Sequence, residues 1–470
     1  MKIEGNIAKE VKITYIGGGS RGWAWKLMSD LATCPNMSGD VCLYDIDYEA
    51  AQDNVIIGNK YNTVEGSVSH WNYRASNDIS EALTGADFVV ISILPGTFKE
   101  MGSDVHTPEK FGIYQAVGDT SGPGGIVRAM RTIPMYEVIA EAIKNYCPNA
   151  WVINYTNPMT WCTKTLYRVF PEIKAFGCCH EIFSTQKLLA TALEDICGIT
   201  VEDKSEVRVT PVSVNHFTWL VRAQYKNIDL YPVYEQFVNK YYETGYTKGL
   251  PDNWQVGVSG TSHRLKFDLF RRYGVIAAAG DRHLAEFCEG KWYLKDPETV
   301  KKWGYALTPI DYRLDDLKER VRLSNVYKSG EKPVPLQESG EEGVMQMCAL
   351  LGLREPLVTN VNIPNMGQTP NLPAGAVVES NAVFSANSVI PVQTGDVPAS
   401  IYPMVARICG QQEAVSQAIA ERNIKKIFAA FCNDPLVTCD LEEAKVLFKE
   451  MVLNTKEYLT SYDLSQLDEL

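Results

Sequence analysis

The sequence predicts an α/β protein organised around a parallel sheet, with an α+β region following it. Three observations carry that prediction. Two wholly apolar strands, Asp87–Ile93 and Ala150–Asn154, read as members of a sheet covered on both faces. A β-rich run, Val11–Ile16, leads directly into Gly17-Gly-Gly-Ser-Arg-Gly22, and a helical stretch then continues through Leu31. The next strand, Val41–Tyr44, ends in an acid, Asp45. From about residue 205 the pattern changes to alternating segments such as Glu206–Val214, which suggest antiparallel strands.

Strand, glycine turn and helix in that order give the glycines a physical meaning. Gly17 permits the tight turn, Gly18 and Gly19 let the backbone approach a pyrophosphate, and Ser20 and Arg21 complete the loop. The helix N-terminus offers free N–H groups and a positive dipole end to phosphate. Asp45 falls where a doubly wound, Rossmann-type sheet places the carboxylate that binds ribose hydroxyls. An acid there disfavours a 2′-phosphate, so NAD is the expected cofactor.

Length and composition bound the rest. A chain of 470 residues exceeds one ordinary core, so two domains are expected: residues 1–200 as the dinucleotide-binding unit and 201–470 as an α+β substrate and oligomerisation unit. The net charge of −12 argues against a nucleic-acid partner. The N-terminal stretch carries acids and no apolar core, and no run approaches the ~18 apolar residues of a membrane span. Twelve cysteines without a secretory signal point to reduced thiols and a cytoplasmic protein.

In chain order, Val117–Gly125 is a stiff loop, expected to be exposed, that carries Asp119 and precedes a helical run with Arg128 and Arg131. The third sheet strand ends in Asn154-Tyr-Thr-Asn-Pro158. The run Ile173–Cys178 reads as a buried strand, so Cys179, His180 and Glu181 land at its carboxyl end, where ligands sit in open α/β sheets. Asn215-His216 is a second polar cluster, and Cys179 with His216 form a candidate metal pair. A buried free thiol and a hydrogen-bonded core histidine would look the same in sequence. Downstream lie a helical stretch, Ser262–Tyr273, an apolar core strand, Val275–Ala279, a β-rich stretch, Ala374–Val392, and closing helices at 404–431 and 440–453. His263, Arg264, Asp268, Arg282 and His283 cluster near one segment, although Arg and Asp on a helix are usually a solvated face.

Several of these motifs, in this order, resemble glycoside hydrolase family 4. The resemblance covers nearly the whole chain and rests on Gly17–Ser20, Gly118–Gly125 with Arg128–Pro134, Asn154–Pro158, Cys179–Glu181 and Asn215-His216. It implies a fold like lactate and malate dehydrogenases, bound NAD, a divalent metal, typically Mn²⁺, and a homodimer or homotetramer. Such NAD-dependent glycosidases are exceptions to the two-carboxylate mechanism. Carried over by position, the resemblance makes Cys179 and His216 the metal ligands and Asp119 the general acid. It places Asn154 and Asn157 between substrate and nicotinamide. Asp268 is the best match for the general base, with Tyr273 as second choice. The implied chemistry is oxidation at the sugar C3, removal of the acidified C2 proton, departure of the C1 substituent, addition of water and reduction.

The residues after the metal cysteine track substrate class in this family. Cys179-His180-Glu181 resembles the α-galacturonidase group, which implies a pectin-derived uronide as substrate. Arg128, Arg264, Arg282 and His283 are the candidate partners of its carboxylate; His180 is expected at the substrate, and Glu181 to accept a hydroxyl or hold one of those arginines. A neutral α-glycosidase (α-galactosidase or α-glucosidase) and an α-glucuronidase of the same family stay open. So do a net NAD-dependent dehydrogenase of a hydroxy acid or polyol, and a silent NAD-binding regulator.

Overall fold

The computed structural model describes residues 1–250 and 260–470. Its first half lays down a parallel sheet. β1 (Lys2–Glu4) forms a hairpin with β2 (Ile7–Ile16). β3 (Met37–Tyr44), β4 (Trp71–Ser76), β5 (Phe88–Ile91), β6 (Trp151–Asn154) and β7 (Lys174–Gly177) follow. They line up as β4-β3-β2-β5-β6-β7, all parallel. The chain therefore builds outward from β2 in one direction, returns, and builds outward in the other. The reversal leaves a crevice between β2 and β5, outside their carboxyl ends.

Register decides what meets in that crevice. Ile16 lies opposite both Tyr44 and Ile91, Ile91 opposite Asn154, and Asn154 opposite Gly177. The last residues of five strands thus share one row. Gly17, Asp45, Ser92, Tyr155 and Cys178 all leave the sheet along the same edge.

The second half supplies β8 (Val207–Val212), β9 (Trp219–Tyr225), β10 (Ile228–Asp229) and β11 (Ile276–Ala277), which make a separate four-stranded antiparallel sheet. β12 (Leu357–Pro364), β13 (Val377–Ser385) and β14 (Ser388–Pro391) then return to the first sheet. They add to it through an antiparallel pairing of Asn362 with Gly177, so that sheet has ten strands. One apolar core holds Ile13 and Ile153 together with Met347 and Phe384. The large sheet and this core both draw residues from either side of residue 200. β13 also ties the two sheets together: its Glu379 N–H donates to the Ser213 carbonyl at 2.8 Å, and Asn381 Nδ2 to the Val209 carbonyl at 2.7 Å.

Three local readings change. The Val275–Ala279 run is buried as expected, but only Ile276–Ala277 pairs as a strand. The closing helix at 404–431 is two helices, Tyr402–Ala420 and Ile424–Cys432. Arg422 takes a left-handed φ of 54°, and the Asn423 side chain caps the second helix. The Val117–Gly125 loop is buried rather than exposed, because a 25-residue helix, Gly122–Tyr146, starts inside it and runs through the protein interior.

Candidate active site

At the carboxyl end of β2 the backbone does most of the construction. The N–H groups of Gly17 and Gly18 both donate to the Tyr44 carbonyl at 2.9 Å. Gly17 has φ of 95°, and a Cβ there would fall 2.0 Å from the Ser92 carbonyl oxygen, so no other residue fits. Asn54 Nδ2 holds the loop from beneath, donating to the carbonyls of Gly18 at 2.8 Å and Ser20 at 3.0 Å. Asp45 accepts from the Gly19 N–H at 2.8 Å and from the Asp47 N–H at 2.9 Å. Burial pushes its pKa up against the pull of these N–H groups. Arg21 Nε is buried without a partner, just before the helix Trp23–Thr33. Arg320, from the helix Ile310–Ser329, donates to the Arg21 carbonyl at 3.0 Å and so covers the loop from outside.

A second cluster forms from three distant segments. Asp119, His216 and His283 present ligand atoms within 4.8 Å of one another. The His216 and His283 rings stack with centroids 3.7 Å apart. His216 sits just after β8 with a left-handed φ of 64°, which turns its ring back toward the Asp119 loop. There Thr120 Oγ1 bridges, 2.7 Å from Asp119 Oδ1 and 2.8 Å from His216 Nδ1. Asn157 Nδ2 donates to Asp119 Oδ2 at 3.3 Å. Burial alone would raise the Asp119 pKa; His216, His283, Arg128 and the Thr120 hydroxyl outweigh it and hold it at about 2. Burial and the neighbouring His283 lower His216 to about 3. At neutral pH the cluster is therefore an ionised carboxylate beside neutral imidazole, the state a cation site requires. His283 Nδ1 is buried and has no hydrogen-bond partner.

The expected metal pair was Cys179 with His216. The structure instead groups His216 with Asp119 and His283, and Cys179 is not part of that group. It leaves β7 next to a buried polar floor. Asn360 Nδ2 donates to the Cys179 carbonyl at 3.1 Å and to Glu379 Oε1 at 2.8 Å, and Asn215 lies beside the thiol. Burial first, then Glu379 and Glu181, push the thiol pKa well up. His283, expected as a carboxylate partner, is one of the three clustered ligand residues. Glu181 joins the cluster from the side: Oε1 lies 3.7 Å from His283 Nε2, and Oε2 accepts from the Gly280 N–H at 2.7 Å. His180 turns the other way, toward the glycine loop. It stacks over Trp23 at 6.2 Å and pairs with Glu341 at 3.2 Å.

The remaining expected residues fall into two groups. Arg128 and Asn157 are at the cluster, with Arg128 Nε donating to the Asn157 carbonyl at 3.2 Å. Asn154, Arg282, Arg264 and Asp268 are engaged elsewhere. Asn154 accepts from Tyr136 Oη at 2.5 Å and the Thr156 N–H at 3.0 Å, and it donates to the Thr156 carbonyl at 3.2 Å, which occupies it in the turn. Arg282 donates to the carbonyls of Ala306 at 3.0 Å and Ala116 at 2.5 Å and to Thr308 Oγ1. It is thereby a strut behind the Asp119 loop. Arg264 donates to the carbonyls of Tyr242 and Lys302. Asp268, the expected base, is paired with Arg272 at 2.5 Å and accepts from Tyr293 Oη at 2.5 Å and Tyr242 Oη at 2.9 Å. A carboxylate so engaged is a structural anchor. Tyr273, the second choice, packs its ring edge-on against Trp219 at 6.1 Å.

Two side chains at the site escaped the sequence reading. Thr120 bridges Asp119 and His216, and Glu286 holds the loop that carries Asp119. Thr120 lies inside a quoted motif, adjacent to the acid. Nothing in Leu284-Ala-Glu-Phe287 distinguishes Glu286 from an ordinary surface glutamate on a helix.

A doubly wound sheet with a glycine-loop crevice, next to a carboxylate–imidazole cluster, defines a dinucleotide-binding type of enzyme with a second, metal-capable centre. Comparison with known proteins narrows that class. The family 4 glycosyl hydrolase description matches residues 12–195, and the family 4 glycosyl hydrolase C-terminal domain matches residues 212–437. The chain belongs to this family. It is 58% identical over 455 residues to an α-galacturonidase of Thermoanaerobacterium saccharolyticum, covering 97% of this chain and 98% of that protein. It is 52% identical over 463 residues to an α-galacturonidase of Thermoanaerobacter italicus, covering 98% of this chain and all of that one. A Bacillus subtilis crystal structure described as glucosidase lplD superposes with a TM-score of 0.90 at 49% identity, over 94% of this chain and 100% of that chain.

Proposed function

We propose that this protein is an α-galacturonidase, cleaving the α-glycosidic bond of short pectin-derived galacturonides with NAD and a divalent metal. The observation that carries the reading is near-full-length identity, above half, to proteins of that activity, on a chain whose cluster fits the required cofactors. The fit is chemical. A buried and a partly buried imidazole with an ionised carboxylate suit Mn²⁺ or Fe²⁺. The buried, unpartnered Arg21 Nε beside a helix N-terminus suits a pyrophosphate.

In this reading NAD and the metal, when bound, supply reversible oxidation at the sugar C3 and polarisation of the resulting carbonyl. The chain's own residues do the rest. His216 and His283, with Asp119 or Cys179 beside them, hold the metal. With Cys179 completing the metal set, Asp119 is free to act as the acid: it would take a proton from solvent water in the substrate complex and pass it to the departing glycosidic oxygen. Asn157 keeps the Asp119 carboxylate pointed into the cleft. Arg128, buried next to Asp119, supports a substrate carboxylate. Because Asp268 is anchored to Arg272, the base is sought outside it, among groups that reach C2 in the substrate complex.

No helix among the described residues is long and apolar enough to cross a membrane, and the cysteines are free. We place the enzyme in the cytoplasm, as a homodimer or homotetramer. The test is a panel of p-nitrophenyl glycosides and uronides with NAD, Mn²⁺ and a thiol reductant. A galacturonide should exceed the matching α-galactoside in kcat/KM by on the order of 10²-fold or more, since a site built for a carboxylate rejects a sugar lacking it. Comparable rates would move the protein to the neutral branch of the family, and stoichiometric NADH would make it a dehydrogenase. In D₂O the product should carry deuterium at C2; full retention of hydrogen there would exclude elimination.

A further inference from the structure

We infer that Glu286 is the positioning residue of Asp119: through one carboxyl oxygen it fixes the Val117–Gly118 turn that aims the Asp119 carboxylate at His216 and His283. Glu286 is fully buried, on the turn after the helix Asp281–Ala285 that carries His283. Its Oε1 accepts from two successive backbone N–H groups, Val117 at 2.6 Å and Gly118 at 2.9 Å. Gly118, next to Asp119, has a left-handed φ of 71° that these two bonds hold in place. Two other buried side chains clamp the same loop farther on. Gln115 Oε1 accepts from Gly124 N–H at 2.8 Å, and Asp434 Oδ2 accepts from Gly122 N–H at 3.1 Å. Glu286 joins the turn next to Asp119 to the segment bearing His283, while Arg282 on the same segment holds the loop one step earlier, at the Ala116 carbonyl, so Glu286 is the side chain that bonds the Val117–Gly118 N–H groups themselves.

The second oxygen shows in which form Glu286 does this. Oε2 is buried without a protein partner. Glu286 also lines a cavity of about 20 Å³, together with Thr120, Ser121, Gln412 and Asp434. That is room for one water. Burial, opposed by the two N–H groups and reinforced by Asp119, raises the Glu286 pKa to about 8. The group is neutral at pH 7 and adds no second negative charge behind Asp119. The charged and titratable groups facing it are Asp119 on the loop, Arg282 and His283 on its own side, and Asp434 and Arg407 across the cavity.

This inference rests on the reading of the Asp119 cluster as the reaction centre, not on the identity of the sugar. Glu286→Gln keeps an acceptor for both N–H groups and cannot ionise; Glu286→Leu keeps the volume and loses the acceptor. Glu286→Leu should lose kcat by about 10²-fold with KM and NAD affinity little changed, as for a misplaced reacting group. Its Mn²⁺ affinity, read by calorimetry without substrate, should fall by about 10-fold or more. Glu286→Gln should recover both to within about fivefold, because it keeps an acceptor for the two N–H groups. Should Glu286→Leu fail to fold, the Gln variant still decides by its Mn²⁺ affinity: within about fivefold of the wild type supports the inference, and a fall of about 10-fold or more overturns it. Wild-type Mn²⁺ affinity in Glu286→Leu, or a loss in Glu286→Gln as large as that in Glu286→Leu, would overturn the inference. If galacturonide is not cleaved but the calorimetric split holds, only the substrate reading fails.

Discussion

Gly17–Gly22 comes from six consecutive residues, whereas Asp119, His216 and His283 come from three segments far apart in sequence. The first region is made of backbone: two N–H groups on one carbonyl, a left-handed glycine, and an asparagine beneath the loop. The second is made of side chains whose spacing depends on Thr120, Asn157, Glu181 and Glu286. A backbone-built site fails by steric exclusion, at one residue. A side-chain-built site loses chemistry when a member is removed and loses geometry when a supporting neighbour is removed. The two regions share the sheet edge but few side chains, so damage to one should leave the other measurable.

The sharpest break is expected in the second region. His216→Ala or Asp119→Asn should lower kcat by on the order of 10³-fold while NAD affinity, read by calorimetry, stays put. A matching loss of NAD binding would mean the two regions are not separable. Activated aryl glycosides should suffer less from Asp119→Asn than substrates with poor leaving groups. In the same region Cys179→Ser sharpens the ligand assignment. Full metal content by elemental analysis would leave Asp119, His216 and His283 as the holding set, and loss of metal would bring Cys179 into it.

Gly17→Ala should break the first region. Its Cβ meets the Ser92 carbonyl at 2.0 Å in a left-handed conformation, so stability should fall by about 1–3 kcal/mol in thermal melts and NAD binding should be lost. Asp45→Ala is a milder perturbation, because the loop keeps its other bonds. NAD affinity should weaken by roughly 1–3 kcal/mol, and unchanged affinity would free Asp45 from the ribose role.

The smallest effects are on stability against pH, and their signs differ. Asp119 is held at about 2, below its unfolded value of 3.8. Its contribution is full above that value and is lost as pH falls toward 2. Glu286 is raised from 4.5 to about 8, so its contribution is full below 4.5 and is lost as pH rises through 8. Melting temperatures of Asp119→Asn should lack the part of the decline between about pH 4 and 2, and those of Glu286→Gln the part between about pH 4.5 and 8.

The sequence by itself determined what local chemistry can encode. The Gly17 turn, the Asp45 strand end and the apolar strands follow from contiguous residues whose φ, pleat and apolar pattern allow little else. Motif order was enough to reach the family, because Gly118–Gly125, Asn154–Pro158 and Cys179–Glu181 are each contiguous. Only the tertiary structure decided how side chains from different segments are spent. Asp268 and Asn154 look available in a sequence, yet folding pairs one with Arg272 and ties the other to Tyr136 and Thr156. Glu286 looks like a surface acid, yet folding buries it against two N–H groups of a loop 168 residues earlier. It also brought β12–β14 back onto the first sheet, across the boundary that composition suggests. The reason is physical. A side chain's role depends on which donor or acceptor lies within about 3 Å of it, and that partner is chosen by long-range packing rather than by neighbours in the chain.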